Sequence, residues 1–284
     1  METPRLWLSS ELPNPNDWVG RGLTDHALDW IVGTFDKDTG ASRGPASAAR
    51  AEFPGYGCIE QGGLPPALQA FSMSFSGSGI RCQYDLGRGK RGAWDGSSGR
   101  LAGSELKEVM GRGIDRLLSL LVITADDVEA RNRVRLPPLY PRDEHGAPAR
   151  VELDGSRRSP ATVRRRDYLA NRAAEILRAA GAKKVYRIDW APLILHTQSS
   201  MRMGADPATS VLDERCEARG VKRLFVADNS ALANSLGGPN PTLTTQALAT
   251  RTAETIFSTY FGGDPWVRTE APVPSTDPRI SAAL

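Results

Sequence analysis

Cysteine and histidine are scarce in this sequence. Cys58, Cys82 and Cys216 are its three thiols, and His26, His145 and His196 its three imidazoles. Three scattered cysteines exclude a disulfide framework, and with so few histidines a zinc cluster has no ligand set. No window is long and apolar enough to span a membrane. The N-terminus, Met1 to Leu8, lacks a basic stretch followed by an apolar run, so it does not read as a secretory signal. The expected setting is a reducing compartment, the cytoplasm. Excess charge is also missing: the net charge is +3 over 284 residues. Arginines gather at Arg157-Arg158 and Arg164-Arg165-Arg166 without interleaved aromatics, which reads as a solvated helix face well ahead of a nucleic-acid patch, so no nucleic-acid partner is expected.

What is present is enough apolar residue, 40% of the chain, for a sizeable core or two ordinary domains. Residues 4–10 read as a short helix with Pro4 in its first turn and Leu6, Trp7 and Leu8 as buried candidates. Ala27 to Phe35 has the content of a strand. Residues 38–57 are rich in Gly, Ala and Pro and read as loop. Ala70 to Tyr84 alternates Phe71, Met73 and Phe75 with serines, as a half-buried strand does. A helix capped by Ser104 is expected to run to about Leu118, followed by a buried strand at Leu120–Ile123. Further strands are expected at Asn132–Leu136 and Val185–Trp190. Arg164 to Ala180 is the clearest helix, with Leu169, Ala173, Ile176, Leu177 and Ala180 on one face. Leu224 to Ala227 looks like a buried parallel strand, and Pro241 opens a long helix to about Phe257.

Gly87-Arg88-Gly89-Lys90-Arg91-Gly92 matches a dinucleotide-binding pattern, but that pattern needs a helix starting at it. Ala93 to Gly99 cannot sustain one, so a charged surface turn is the better reading. No nucleophile elbow is present. His145 lies in a polar turn and is expected to be exposed and idle. His26 precedes a strand, where a structural hydrogen bond is its expected role and a ligand contact the alternative. His196 follows the apolar run Pro192 to Leu195, read as a buried strand, and precedes a polar loop; such exits are where site residues sit. Gly237-Gly238 lets backbone come close to something bulky. Asn240 is in N-cap position and Pro241 in first-turn position, so the helix N-terminus offers free N–H groups to an anion.

In this order, His196, Met203-Gly204, Asp206-Pro207, Ser210 to Asp213, Gly220-Val221, Leu224 to Asp228 and Asn240-Pro241-Thr242 resemble the C-terminal region of the glucose-methanol-choline oxidoreductases. Trp18 to His26 resembles the family's entry into its substrate domain. Glu2 to Ser10 resembles its second signature with the start missing. The resemblance implies FAD as cofactor and hydride transfer from a carbinol carbon to the flavin. It makes His196 and Asn240 the catalytic pair, the imidazole taking the hydroxyl proton and the amide orienting the hydroxyl. It puts Asp228 and Asn229 near the FAD ribityl and pyrophosphate, and Asn240, Pro241 and Thr242 at the helix facing the flavin. One departure is Ser199-Ser200, where the family has Gly-Thr. The larger one is that the family's Gly-rich FAD-binding strand-turn-helix would lie before Met1.

The implied fold is mixed α+β. Residues 21–190 would form an antiparallel substrate-domain sheet with helices. Residues 1–20 and 191–284, a remnant strand and long helix, would belong to a Rossmann-like FAD domain. The implied function is oxidation of CH–OH groups in a small alcohol or carbohydrate by a truncated or split chain. The alternative is an inactive fragment or subunit whose partner, a separate FAD-binding chain, supplies the nucleotide site. No metal is implied.

Overall fold

The computed structural model describes residues 1–41, 43, 49–63, 80–83, 103–139, 142–153, 158–188 and 194–262. The fold is mixed α+β, as expected. Its centre is a six-stranded antiparallel sheet of β1 (Ala27–Thr34), β2 (Arg50–Phe53), β3 (Gly57–Gln61), β4 (Ile80–Gln83), β5 (Leu117–Thr124) and β8 (Lys184–Ile188). The strand order is β2-β3-β5-β1-β8-β4. β6 (Arg133–Arg135) and β7 (Arg150–Glu152) form a separate antiparallel pair.

β1 is central, pairing with β5 along Ala27 to Thr34 and with β8 from Trp30. Its alternation sets the two sides of the sheet. Ile31 faces one core with Ile59, Leu120, Val122 and Val185, while Trp30 and Val32 face another with Leu117, Tyr186 and Ile188. The first core is closed by a long helix at Pro160–Ala179 that packs on β1 and β5. Ser159 caps it by accepting from the Thr162 N–H, and Pro160 fits its first turn. It therefore begins four residues before the expected start at Arg164.

Its buried face is Leu169, Ala170, Ala173, Ala174 and Leu177, with Ile176 and Ala180 outside it. Alanines at three of the contact points let the helix lie close to the sheet. The arginine clusters are only in part a solvated face: Arg164 is exposed, but Arg158 and Arg166 turn inward. Arg166 is buried against Asp29 of β1, and Arg158 against Asp126. The carboxylates beneath the helix, invisible to a local reading, draw these guanidiniums inward.

Other expectations are corrected in the same way. Residues 38–57 contain β2, because β3 offers an edge to pair with. The helix at Gly103–Arg112 ends before Leu118, and Ser104 lies inside it. In the first helix, Glu2–Ser9, Pro4 and Trp7 are buried but Leu6 is exposed. Phe71, Met73, Phe75, the Gly87–Gly92 pattern, Trp190 and the Pro192-Leu193 dipeptide lie outside the described residues.

A second core joins the two ends of the chain. Trp7 and Val19 pack with Met201, Val211, Leu212, Cys216, Ala218, Val226, Ala231 and Leu232. Leu224–Ala227 crosses this core but is not a strand; its pairing is a single antiparallel bridge between Glu217 and Phe225. A buried parallel strand needs parallel neighbours on its edges; here the neighbour is the antiparallel Cys216–Ala218 segment, with the Ala218 N–H donating to the Leu224 carbonyl and the Val226 N–H to that of Cys216. The terminal helix, Thr242–Tyr260, is as long as expected, yet only Leu248 and Thr252 are buried along it. Among the described residues no helix is long and apolar enough to cross a membrane.

Candidate active site

His26 ends the segment that leads into β1, and His196 ends the segment that leads to the second core. Thr24 and Gln198 hold the two segments side by side, each N–H donating to the other's carbonyl at 3.0 and 2.8 Å. The geometry puts the rings in contact: His26 Nδ1 lies 2.8 Å from His196 Nδ1, with the ring planes at 81°. His26 Nε2 lies 2.8 Å from the Ser235 carbonyl oxygen. Neither contact was legible locally, since 170 residues separate the two histidines. The described end of the run before His196 is not buried strand: Ile194 and Leu195 are 48% and 56% exposed.

Asp25 is a site residue the sequence reading missed. Its Oδ1 accepts the His196 backbone N–H at 2.7 Å. Burial pushes its carboxyl up to about 6, against the hydrogen bond from His196 and the charge of Arg158. Arg158 Nη1 also donates to the Asp25 carbonyl at 2.7 Å. Burial lowers both imidazoles, His26 to about 4 and His196 below its ordinary 6.5, the latter opposed by the charge of Glu60. Both rings are therefore neutral near pH 7. His145 is exposed beside Glu144, away from this cluster.

Asn240 is exposed and does not cap the terminal helix; Pro241 occupies the N-cap and offers no side-chain bond. No hydrogen bond joins Asn240 to His196 among the described residues. Glu60 of β3 connects them: it accepts from Asn240 Nδ2 at 3.4 Å, and its charge acts on the His196 ring. Glu60 is in turn held by Arg50 at 2.6 Å. Asp228 caps the short turn at Asn229–Ala231, accepting from the Ser230 N–H at 2.6 Å and from Thr3 Oγ1. Asn229 accepts from the Thr245 hydroxyl, which ties that turn to the first turn of the terminal helix. Thr242 is exposed at the helix start.

The loop from Ser235 to Asn240 is fixed by backbone contact. Gly238, at φ +113°, sits on β3, where an added Cβ would fall 2.7 Å from Gly57 Cα and 3.2 Å from the Ile123 oxygen. Gly237, at φ +74°, has open space around it. Gly238→Ala is therefore expected to lower stability by roughly 1–3 kcal/mol and to exceed Gly237→Ala, which carries strain without collision. Urea midpoints of the two variants check this; equal losses would contradict it. A second left-handed residue is Ser199, at φ +69°. Its backbone conformation explains why glycine suits that position in the family pattern.

Some features fit a flavin. The amides that open the terminal helix lack a side-chain cap and face solvent beside Asn240, an arrangement suited to negative charge. The Ser230 hydroxyl beside Asp228 and Asn229, and the Gln198 amide two residues after His196, are buried without a protein partner among the described residues. Polar atoms in that state call for a further donor or acceptor. Among the described residues no group of three or more His, Cys, Asp or Glu is arranged to hold a metal.

Comparison with known proteins points to one oxidoreductase family. A family profile described as GMC oxidoreductase matches residues 128–249. Paromamine 6'-oxidase of Streptomyces fradiae is 36% identical over 141 residues, covering 49% of this chain and 25% of that protein. 6'''-Hydroxyparomomycin C oxidase of Streptomyces lividus is 35% identical over 143 residues, again 50% of this chain and 25% of that protein. Among solved structures, pyridoxine 4-oxidase from Mesorbium loti superposes with a TM-score of 0.52 at 17% identity, over 93% of this chain and 50% of that one. A formate oxidase of Aspergillus oryzae, described for its FAD modification, gives 0.55 at 13%, over 92% and 53%. The match thus spans a quarter of the length of these curated relatives, and the fold about half of the solved chains. Residues 128–249 are thus similar to the C-terminal portion of the glucose-methanol-choline (GMC) oxidoreductases.

Proposed function

We propose that this chain supplies the proton-handling half of an FAD-dependent oxidoreductase acting on CH–OH groups of a small alcohol or carbohydrate. One observation carries the reading: His196 is held at its backbone by Asp25 and at Nδ1 by His26, while Nε2 has no protein partner among the described residues. A neutral imidazole so fixed can take a hydroxyl proton at Nε2. When bound, the flavin supplies the hydride acceptor. Loss of the proton to His196 raises electron density on the alcohol oxygen and eases departure of hydride from the carbinol carbon. Asn240 orients the hydroxyl, and Glu60 keeps the Asn240 amide in place. Asp228, Asn229, Asn240, Pro241 and Thr242 would hold the flavin end of the cofactor. Because burial lowers the His196 imidazole, the base stays neutral to below pH 6.5, and the acid limb of alcohol oxidation falls there.

The domain division follows. Residues 21–190 hold the sheet and the substrate, and residues 1–20 with 191–284 form one flavin-facing body, as the shared core of Trp7, Val19, Met201 and Leu212 supports. The two Streptomyces relatives, oxidases by name, support alcohol or sugar oxidation.

A specific observation also favours dependence on further polypeptide for the nucleotide end. The terminal helix leaves Leu243 and Phe261 exposed, and Ile194 and Leu195 beside His196 are exposed too. Such apolar surface fits a covering domain. The test is flavin uptake by this chain alone and together with a GMC nucleotide-binding half, whether fused or co-expressed. Yellow, flavin-containing protein is expected with that half. Colourless protein in both preparations would sink the cofactor assignment.

A further inference from the structure

His26 does more than brace a strand. It is 1% exposed, and both of its ring nitrogens are engaged. A carbonyl oxygen only accepts, so the contact with Ser235 requires a hydrogen on His26 Nε2. That carbonyl is itself fixed, because the Ser235 hydroxyl donates to the Asp126 carbonyl and accepts from the Asp126 N–H, both at 2.8 Å. A neutral imidazole has a single N–H, and burial keeps His26 neutral, its pKa pushed down to about 4. His26 Nδ1 therefore holds a lone pair and accepts. The hydrogen between the two rings belongs to His196 Nδ1.

We infer that His26 is a positioning residue that fixes the tautomer of His196, placing its hydrogen on Nδ1 and its lone pair on Nε2. In water, neutral histidine prefers the opposite tautomer, with hydrogen on Nε2, which would leave the substrate-side nitrogen unable to take a proton. The Asp25 carboxylate on the His196 N–H fixes the backbone, and His26 then fixes the ring. When His196 Nε2 takes a proton, the Nδ1–H to His26 bond becomes charge-assisted and shortens the ring's freedom further. Other charged groups act on the pair: Arg158 and Arg50 lower His26, and Glu60 raises His196. None of them displaces the Ser235 carbonyl, so the direction of the hydrogen bond is set by geometry. The inference rests on reading His196 as the base.

The experiment is long-range proton–nitrogen correlation of the chain labelled with 15N-histidine at pH 7.5. Only three histidines are present, and a His145→Ala variant removes the exposed one for assignment. His196 is expected to show a protonated Nδ1 and a bare Nε2, and His26 the reverse. His26→Leu is expected to return His196 to the Nε2–H form. In His26→Asn the side-chain oxygen stands near the lost Nδ1, so the His196 tautomer is expected to be kept. In flavin-loaded complete enzyme, His26→Leu is expected to lower kcat roughly 10–100-fold with KM little changed, and His26→Asn to recover most of it. A protonated Nε2 on His196 in the unsubstituted protein overturns the inference, whether or not the Leu variant folds. So does an unchanged His196 tautomer in His26→Leu. The two readings separate cleanly. If His196→Ala leaves turnover intact, the base assignment fails while the tautomer result stands. If His196→Ala abolishes turnover and Nε2 carries the hydrogen, only the role of His26 fails.

Discussion

His196→Ala in the complete, flavin-loaded enzyme is expected to cut kcat for alcohol oxidation by about 10²–10⁴-fold with little change in KM. That is the usual worth of a positioned general base. The split matters, because a group that acts on the proton in the transition state lowers kcat, whereas one that only binds substrate raises KM. His196→Gln keeps a hydrogen-bonding end of similar reach but cannot become cationic at neutral pH, so it is expected to be nearly as slow. Asn240→Ala is expected to cost less, since an orienting amide contributes position without taking charge. Steady-state rates across an alcohol panel check the order. Unchanged turnover in His196→Ala would remove the base from the account.

Asp29→Ala is expected to lower stability by roughly 3–5 kcal/mol, the usual cost of breaking a buried ion pair from one side. Asp29 lies fully buried on β1 and holds two guanidiniums. Its Oδ1 accepts from Arg166 Nε and Nη2 at 3.0 and 2.5 Å. Its Oδ2 accepts from Arg187 Nε and Nη2 at 2.9 and 2.6 Å. Even with this partner, burial pushes Arg166 down to about 10. Removing the carboxylate leaves Arg166 facing Arg187 at low dielectric, with the half-exposed Asp167 the counter-charge that acts on both. Replacing all three residues by apolar ones of similar volume is expected to cost far less, because no charge is then stranded. Chemical denaturation followed by circular dichroism measures both. A loss under 1 kcal/mol for Asp29→Ala would mean the pair is solvated. The triad also serves the site, since Asp29 anchors β1 to the long helix three residues beyond His26, which leads into that strand.

Much of this was legible in the sequence. β1 was readable because Trp30, Ile31 and Val32 have strand content, although Asp29 is buried beside them, and the long helix because its small and apolar residues recur at helical spacing. The ordered elements from His196 to Thr242 gave the family. What escaped was set by contacts distant in the chain. Arg158 and Arg166 read as solvated because their carboxylates sit on other elements. Leu224–Ala227 has strand composition, yet its neighbour is the short antiparallel Cys216–Ala218 segment. Glu60 and Asp25 carry no motif, and they became site residues only when β3 and the Thr24–Gln198 bridge brought them to His196. His26 was weighed as a structural hydrogen bond. It makes two, and the second reaches the residue read as catalytic.

The central claim is that this chain brings the alcohol's proton acceptor to a flavin. Anaerobic mixing of the complete, flavin-loaded enzyme with a protiated or carbinol-deuterated alcohol tests it most directly. The account predicts loss of the oxidised-flavin absorbance, slower with deuterium and slower again when His196 is replaced. Loss at the same rate in His196→Ala, or no loss with any alcohol or sugar, would contradict it.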